Sequence, residues 1–571
     1  MSVKSLIGNN YASMGSMTHL FILALKAAFK EDQIIESGEN YALLAKDPAV
    51  NARNPAAFVY PESREQVQIL VRLASQFKTR LWVYSTGKNW GYLNTSGSTS
   101  SIVVLLNRMD KIIHVDEELA YAIIEPGVTY EALNRFLGDN GYSLWTDSPG
   151  GPPTGSVIGN ALDRGVGVTK YSDHFAHLCG YEVVLADGSI IHTGAADKEG
   201  NKGAAHLYKW GVGPYVEGLF SQSNFGIVIQ AGIWLMRKPK DYALFSLNIK
   251  DNLALAKCMD SVRELMLSGV IPETGRFSND VAILTLLTQA INEGIDPKKA
   301  ISREELARLK RKYYVPGWTG SFGIYGYSPL VNTASKIAKV HLKKSNSVTR
   351  INVFTKSRAH TIRKMLESIE RIESKFLLKL IDSSIRNLLG SSLALVKLFP
   401  GLIDLHEGKP VETVVRRGYF RYRKKRPETD IHAGRDDIGI LWSVPVLPFR
   451  GTEVIEFAEK CEMLFAKFNF DFYMTIMVFN ARSVCPLMAI LYDRLDQDDC
   501  KRAEQLYEAL LDLSHKMGYQ HFRAGINGWK KLYQNCPELK DLNQKLKAAL
   551  DPMGIFSPGR YGIDSDEAAQ P

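Results

Sequence analysis

Between about residues 50 and 240 the chain alternates two hydrophobic patterns. "PESREQVQILVRLASQF" (61–77) sets Val67, Leu70, Val71 and Ala74 on one face at helical spacing, behind Pro61 and Ser63, and predicts a helix. The β-rich runs "TRLWVYS", "SIVVLLN", "KIIHVDEE" and "YAIIEPG" predict strands. "TYEALNRFLGDNG" restores the helical period, with Thr129 as N-cap and Gly141 as stop, and "CGYEVVLADGSIIHTG" predicts a hairpin turning at Asp187-Gly188. Beyond Pro239 the segments lengthen, with helices predicted near 251–267, 302–313, 333–345 and 359–380 and strands near 320–326 and 438–447. The end, "NQKLKAALDPMGIFSPGRYGI", reads as a helix stopped at Asp551-Pro552 and a turn-rich tail. A chain of 571 residues exceeds what one core supports. The change of pattern therefore predicts two domains, the second inserted so that the tail returns to the first.

Three glycine-rich stretches break these patterns. "YSTGKNWGYLNTSG" (84–97) follows a strand and offers backbone N–H groups to an anion, yet Lys88 is followed by Asn89 rather than Ser or Thr, so the nucleotide-triphosphate loop is excluded. Gly87 and Gly91 stand four apart, which excludes the dinucleotide fingerprint too. "GGPPTGSVIGNALDRGVGVTKYSDHF" (150–175) carries six glycines and almost no hydrophobic period, and a loop of that length inside a domain is usually functional. "FSQSNFGIVIQAGIWLM" (220–236) enters a strand through Gly226. Together they predict an extended ligand with a diphosphate.

Composition narrows the classes. The net charge of +9 is mild and mostly dispersed; the basic runs 308–314 and 416–426 read as solvated faces, and no nucleic-acid partner is expected. Six scattered cysteines, without C-x-x-C or finger-spaced histidines, give no disulfide framework and no metal site. Lys4 and Lys26 flank no signal-peptide pattern and no stretch is long and apolar enough to span a membrane, so a cytoplasmic location is expected. Lys379, Asp382, Arg386 and Lys397 interrupt the apolar stretch 376–405, which is read as helices of a cap or subunit interface rather than a membrane-lying pair.

"STGKNWGY", "IIEPGVTYEALNRFL", "GSVIGNALDRGVGVTKYSDHF", "EVVLADGSIIHTG", "GPYVEGLFSQSNFGIVIQAGIWLM" and "LKAALDPMGIFSPGR", in this order, resemble the vanillyl-alcohol oxidase and p-cresol methylhydroxylase family of FAD enzymes. The resemblance implies an α+β fold: an FAD-binding domain of two α+β subdomains (1–240 and 515–571) and an inserted α+β cap or substrate domain (241–514). It implies FAD lined by Ser85, Thr86, Gly87, Lys88, Asn89, Trp90, Gly91, Pro126, Gly127, Gly155, Ser156, Gly159, Asn160, Gly165, Asp173, Gly226, Ile227 and Val228, with Arg560 near the flavin's end. It also implies a small-molecule substrate, homo-oligomers, and oxygen or an electron carrier such as a cytochrome as acceptor.

Relatives acting on 4-alkylphenols hold the substrate as a phenolate through an arginine and two tyrosines. The matching residues are Tyr92 and Arg523, but the second tyrosine is Phe522, a further tyrosine is Val168, and a carboxylate beside the flavin falls on Gly150 or Gly151. The histidine that carries covalent flavin in the oxidases is Ile440, and no histidine lies between His19 and His114, so noncovalent FAD is expected, with Tyr419 and Tyr422 as alternative attachment points. Structural roles stay open beside the catalytic ones: loop packing for Tyr92, an ion pair for Arg523, a supporting hydrogen bond for His174. The expected activity is hydride transfer from an aromatic alcohol or 4-alkylphenol to flavin. A non-phenolic substrate anchored by Arg523, or a flavin-binding protein without catalysis, are the alternatives.

Overall fold

The computed structural model describes residues 14–45, 54–92, 101–196, 202–428 and 431–564. Positions 93–97 of the first glycine loop, and Lys4, lie outside the described residues. The helix Arg64–Phe77 forms as the spacing requires: Ser63 accepts from the Gln66 N–H, and Val67, Leu70, Val71, Ala74 and Phe77 are buried. Thr129 likewise caps Tyr130–Asp139.

Two sheets build the first domain. A four-stranded sheet runs Ile34–Ile35, Ala57–Val59, Ile102–Leu105, Leu81–Tyr84, parallel among the last three. A five-stranded antiparallel sheet runs Ile112–Asp116, Tyr121–Ile124, Ile227–Trp234, Leu178–Val184, Ile190–His192. The chain's tail joins the edge of the first sheet: Leu81 N–H donates to Ile555 C=O and Ser557 N–H to Leu81 C=O, each at 2.7 Å, while Trp82 stacks on Trp529. A buried ion pair fixes that tail. Lys547 Nζ donates to Asp551 Oδ2 (2.6 Å), Asn224 C=O (2.7 Å) and Phe556 C=O (2.8 Å), and Asp551 accepts from the N–H groups of Ile555 and Phe556.

The middle of the chain forms one eight-stranded antiparallel sheet, ordered Arg350–Thr355, Asp241–Ile249, Trp318–Gly326, Gly275–Asn279, Tyr473–Asn480, Ser483–Asp493, Ile438–Ser443, with Leu447–Pro448 also paired to the 483–493 strand. Alternation along Tyr473–Asn480 sorts its faces. Met474, Ile476 and Val478 enter a core beneath helices Asn252–Leu267, Gly451–Lys467 and Gln497–Lys516, while Thr475, Met477 and Phe479 face a cleft toward the first domain.

Three expectations need correction. The helix expected at 359–380 is two, Lys356–Glu370 and Lys375–Leu389, because Ser374 caps a new start. The loop 150–175 contains a short helix, Val157–Leu162, which Ser156 begins by accepting from Gly159 N–H. The run 416–426 is no uniform solvated face: Arg421 is buried and donates to Pro297 C=O, Arg417 turns into the cleft, and only Arg423, Lys424 and Lys425 are exposed. Among the described residues no single helix is long and apolar enough to cross a membrane, and the two-helix stretch Lys375–Leu389 and Leu393–His406 bends by 77°.

Candidate active site

A long cleft opens between the two-sheet domain and the eight-stranded sheet. At one end it is lined by Ser85–Trp90, Pro126, Gly155, Ser156, Gly159, Asn160, Asn224, Gly226, Ile227, Val228 and Arg560. The loops interlock by short contacts. Thr86 Oγ1 accepts from Ser156 N–H, Ser156 Oγ donates to Pro126 C=O, and a Cβ on Gly159 would stand 2.0 Å from Ser85 Oγ, so glycine there lets the loops meet. Four expected residues lie behind this wall. Gly91 (φ +84°) makes room for the Trp442 ring, Gly127 for the carbonyls of Leu106, Asn107 and Met109, and Gly165 for Asn160; Asp173 is exposed and accepts from Ala176 N–H. His174, buried, shares its Nδ1 with Asn160 Oδ1 (2.5 Å) and Tyr130 Oη (3.0 Å) and so fixes the loop's return.

The acid at the centre of the cleft is Asp163, which sequence reasoning passed over inside the glycine-rich run. Its Oδ2 accepts from Asn89 Nδ2 and its Oδ1 from Tyr561 Oη, both at 2.6 Å, with Arg560 at 3.7 Å. One carboxylate thus ties the first glycine loop to the C-terminal tail. Arg560 also donates to Val83 C=O at 3.0 Å.

Within reach of the Asp163 charge, Tyr92 and Arg523 meet. The Arg523 guanidinium lies 4.3 Å from the centre of the Tyr92 ring and 5.3 Å from that of Phe522, in an apolar pocket with Trp442, Phe479, Cys485 and Leu487. Among the described residues Tyr92 Oη and Arg523 Nε are buried with no hydrogen-bond partner of good geometry, although the two side chains are close enough to act on each other. Burial pushes the Tyr92 hydroxyl up to about 12 even with Arg523 beside it, so it is a proton donor at neutral pH. Val168, Gly150, Gly151 and Ile440 also line the cleft, as does Tyr419, whose hydroxyl donates to Asp436 at 2.6 Å. Tyr422 is not on the cleft wall.

His521 positions the segment that carries Phe522 and Arg523. It lies fully inside, with Nε2 3.1 Å from Ser443 Oγ, and burial pulls its imidazole down to about 3. Because the folded pKa falls below the ordinary 6.5, the unfolded chain binds a proton first as pH falls. The stabilisation from this group is therefore complete above pH 6.5 and declines toward pH 3. We expect His521→Gln to flatten the fall of urea-unfolding stability between pH 6.5 and 5 by about 1.4 kcal/mol per pH unit; an unchanged slope contradicts this.

Comparisons with known proteins meet this geometry. Residues 55–194 match the FAD binding domain family and residues 449–561 the C-terminal domain of FAD linked oxidases. The chain is 29% identical to 1'-carboxy-chondrochloren decarboxylase of Chondromyces crocatus, over 88% of this chain and 90% of that protein. It is 28% identical to the flavoprotein subunit of 4-cresol dehydrogenase (hydroxylating) of Pseudomonas putida, over 90% of each. The structure of substrate-bound p-cresol methylhydroxylase superposes with a TM-score of 0.83 at 26% identity, over 97% of this chain and 98% of that one. The chain is thus similar over nearly its whole length to p-cresol methylhydroxylase, and it carries the two domains of FAD linked oxidases. It is an FAD-dependent oxidoreductase, and the cleft suits that cofactor: small residues on three loops, Lys88 and Arg560 as cations, and Asn224 Oδ1 buried without a partner.

Besides Asp163, the cleft residues that the sequence missed include Arg276, Arg417, Met477 and Cys485. Arg276, Met477 and Cys485 sit in the strands Gly275–Asn279, Tyr473–Asn480 and Ser483–Asp493, which the sequence reading did not predict, and Arg417 was hidden in a basic run.

Proposed function

We propose that the enzyme takes a hydride from the benzylic carbon of a 4-alkylphenol or aromatic alcohol bound as its phenolate. The observation that carries this reading is a pair of buried polar groups in an apolar pocket, Tyr92 Oη and Arg523 Nε, with no hydrogen-bond partner of good geometry among the described residues. Each orphaned donor costs about 1–3 kcal/mol. A phenolate oxygen satisfies both, and charge stabilisation by a desolvated guanidinium is the main lever such a site has. FAD supplies the hydride-accepting chemistry when bound. Ser85–Asn89 and Gly155–Asn160 would hold its diphosphate, and Arg560 would stand at the far end of the flavin. Oxygen or a protein carrier such as a cytochrome then re-oxidises the cofactor; oxygen uptake against dye reduction distinguishes them. A homo-oligomer in a reducing, cytoplasmic setting is the form we propose.

The same reading takes the FAD to be noncovalent. Ile440 has no nucleophile, and the Tyr419 hydroxyl is committed to Asp436 with its pKa raised by burial and that carboxylate. Acid precipitation is expected to leave a colourless pellet and a yellow supernatant; a yellow pellet contradicts it.

A second reading couples the oxidation to loss of a substrate carboxylate as carbon dioxide. The likeness to a decarboxylase supports it, as does Gly150, which leaves no carboxylate there to take a proton or activate water. The electron pair left by the departing carboxylate would then close the product's double bond. Carbon dioxide release during anaerobic flavin bleaching tests this branch. If no phenol, aromatic alcohol or acid in a broad panel bleaches the flavin, the protein is a flavin binder without catalysis.

A further inference from the structure

Among the described residues, five cationic side chains line the cleft, Lys88, Arg276, Arg417, Arg523 and Arg560, against a single carboxylate, Asp163. Lys88 and Arg560 line the part of the cleft that would hold the cofactor and Arg523 the phenol pocket, while Arg276 and Arg417 face the same space on the cap side.

Among the described residues the Arg276 guanidinium makes no hydrogen bond and no ion pair. The strand Gly275–Asn279 explains its direction, since Phe277 points into the cap core and its neighbour Arg276 points the other way. Arg417 is held in place by donating to Val414 C=O and Tyr473 Oη. The nearby acid, Asp147, acts on Arg276 only through space, with its Oδ2 3.5 Å from His174 Nε2. Its Oδ1 accepts from the N–H groups of Val168 and Thr169, and it forms no ion pair with either arginine. Burial and the charge of Arg417 pull the Arg276 guanidinium down to about 10, so it is still a cation at neutral pH. A Cβ on Gly150 would reach 3.4 Å from Arg417 Nη2, so glycine keeps the approach to that guanidinium open and free of a protein carboxylate.

We propose that Arg276 and Arg417 form a carboxylate subsite, and that the physiological substrate is a phenol whose side chain ends in a carboxylate. This rests on the phenolate reading for the opposite end of the substrate. The spacing agrees: Arg276 is opposite Met477, which is opposite Cys485 beside Tyr92, so two strand spacings, roughly 10 Å, separate the subsites. A phenol ring with a short chain bridges that gap. Planar guanidinium donors suit a carboxylate in two-point contact.

The test is air-free titration of the FAD-loaded enzyme with 3-(4-hydroxyphenyl)propanoate, its neutral amide, and 3-phenylpropanoate, read from the flavin absorbance change on binding. The wild type is expected to bind the acid about tenfold or more tightly than the amide, the worth of one charge-assisted hydrogen bond. Arg276→Gln removes that preference and leaves the amide's affinity unchanged, while Arg276→Lys keeps part of it. Equal affinity for acid and amide in the wild type, or equal weakening of both by Arg276→Gln, overturns the subsite. 3-Phenylpropanoate separates the two claims. If it binds with the same dependence on Arg276 while the phenols bleach no flavin, the subsite stands and the phenolate reading fails.

Discussion

Replacing Arg523 with glutamine is expected to slow anaerobic bleaching of the flavin by a phenol about 10²–10³-fold, the usual cost of removing one donor that stabilises developing charge. The enzyme should still hold FAD, since Arg523 makes no hydrogen bond to the Ser85–Asn89 or Gly155–Asn160 loops. The size follows from its surroundings. The guanidinium lies on the Tyr92 ring in a pocket of Phe479, Cys485, Leu487 and Phe522, where little water competes with it for a substrate oxygen. Tyr92→Phe should cost less, because it removes a neutral donor and leaves the charge. Stopped-flow absorbance measures both. A rate within twofold of the wild type in Arg523→Gln, with flavin bound, removes the phenolate from the mechanism.

Replacing Lys547 with methionine is expected to lower stability by about 3–5 kcal/mol, because it leaves the buried Asp551 charge uncompensated. Lys547 and Asp551 are both 0% accessible, and between them they hold Asn224, Ile555 and Phe556. Asn224 lines the cofactor end of the cleft and Phe556 pairs with Leu81 just before the first glycine loop. The loss should therefore appear in two readouts, a lower denaturant midpoint and weaker retention of FAD during gel filtration. Replacing both partners, Lys547→Met with Asp551→Leu, should recover part of the stability. If the single change leaves the midpoint within 1 kcal/mol of the wild type, the pair does not clamp the tail, and the expected cost, of about 3–5 kcal/mol, is wrong.

The two-sheet domain was legible because its elements advertise themselves locally. Ser63 and Thr129 cap helices with clean apolar faces, and Asp187-Gly188 turns a hairpin between two β-branched runs. The glycine loops were legible for a related reason, since close backbone approach leaves few other residue types possible. The cap was harder. Only two of its strands, near 320–326 and 438–447, were expected, and which residues meet the cleft depends on pairings such as Met477 with Cys485 and Arg276, far apart in sequence. Asp163 and Arg417 were missed because one looked like a member of a loop and the other like a member of a charged run. Their importance comes from what surrounds them in three dimensions: Tyr561, Asn89 and Arg560 around the acid, Tyr473 and Arg276 around the arginine. By sequence Asp173 reads as a cofactor ligand, from its place in a motif, or as a plain acceptor of backbone N–H groups, and the structure shows the second, with Asp173 exposed and accepting from Ala176 N–H.

The central claim is that a phenolate, held by Tyr92 and Arg523, is what the enzyme oxidises. Air-free mixing of the FAD-loaded protein with 3-(4-hydroxyphenyl)propanoate and, separately, with its O-methyl ether tests it most directly. The account predicts loss of the oxidised-flavin absorbance with the phenol and none with the ether, which has no proton to lose and no anionic oxygen to offer. Equal bleaching by the two compounds contradicts it.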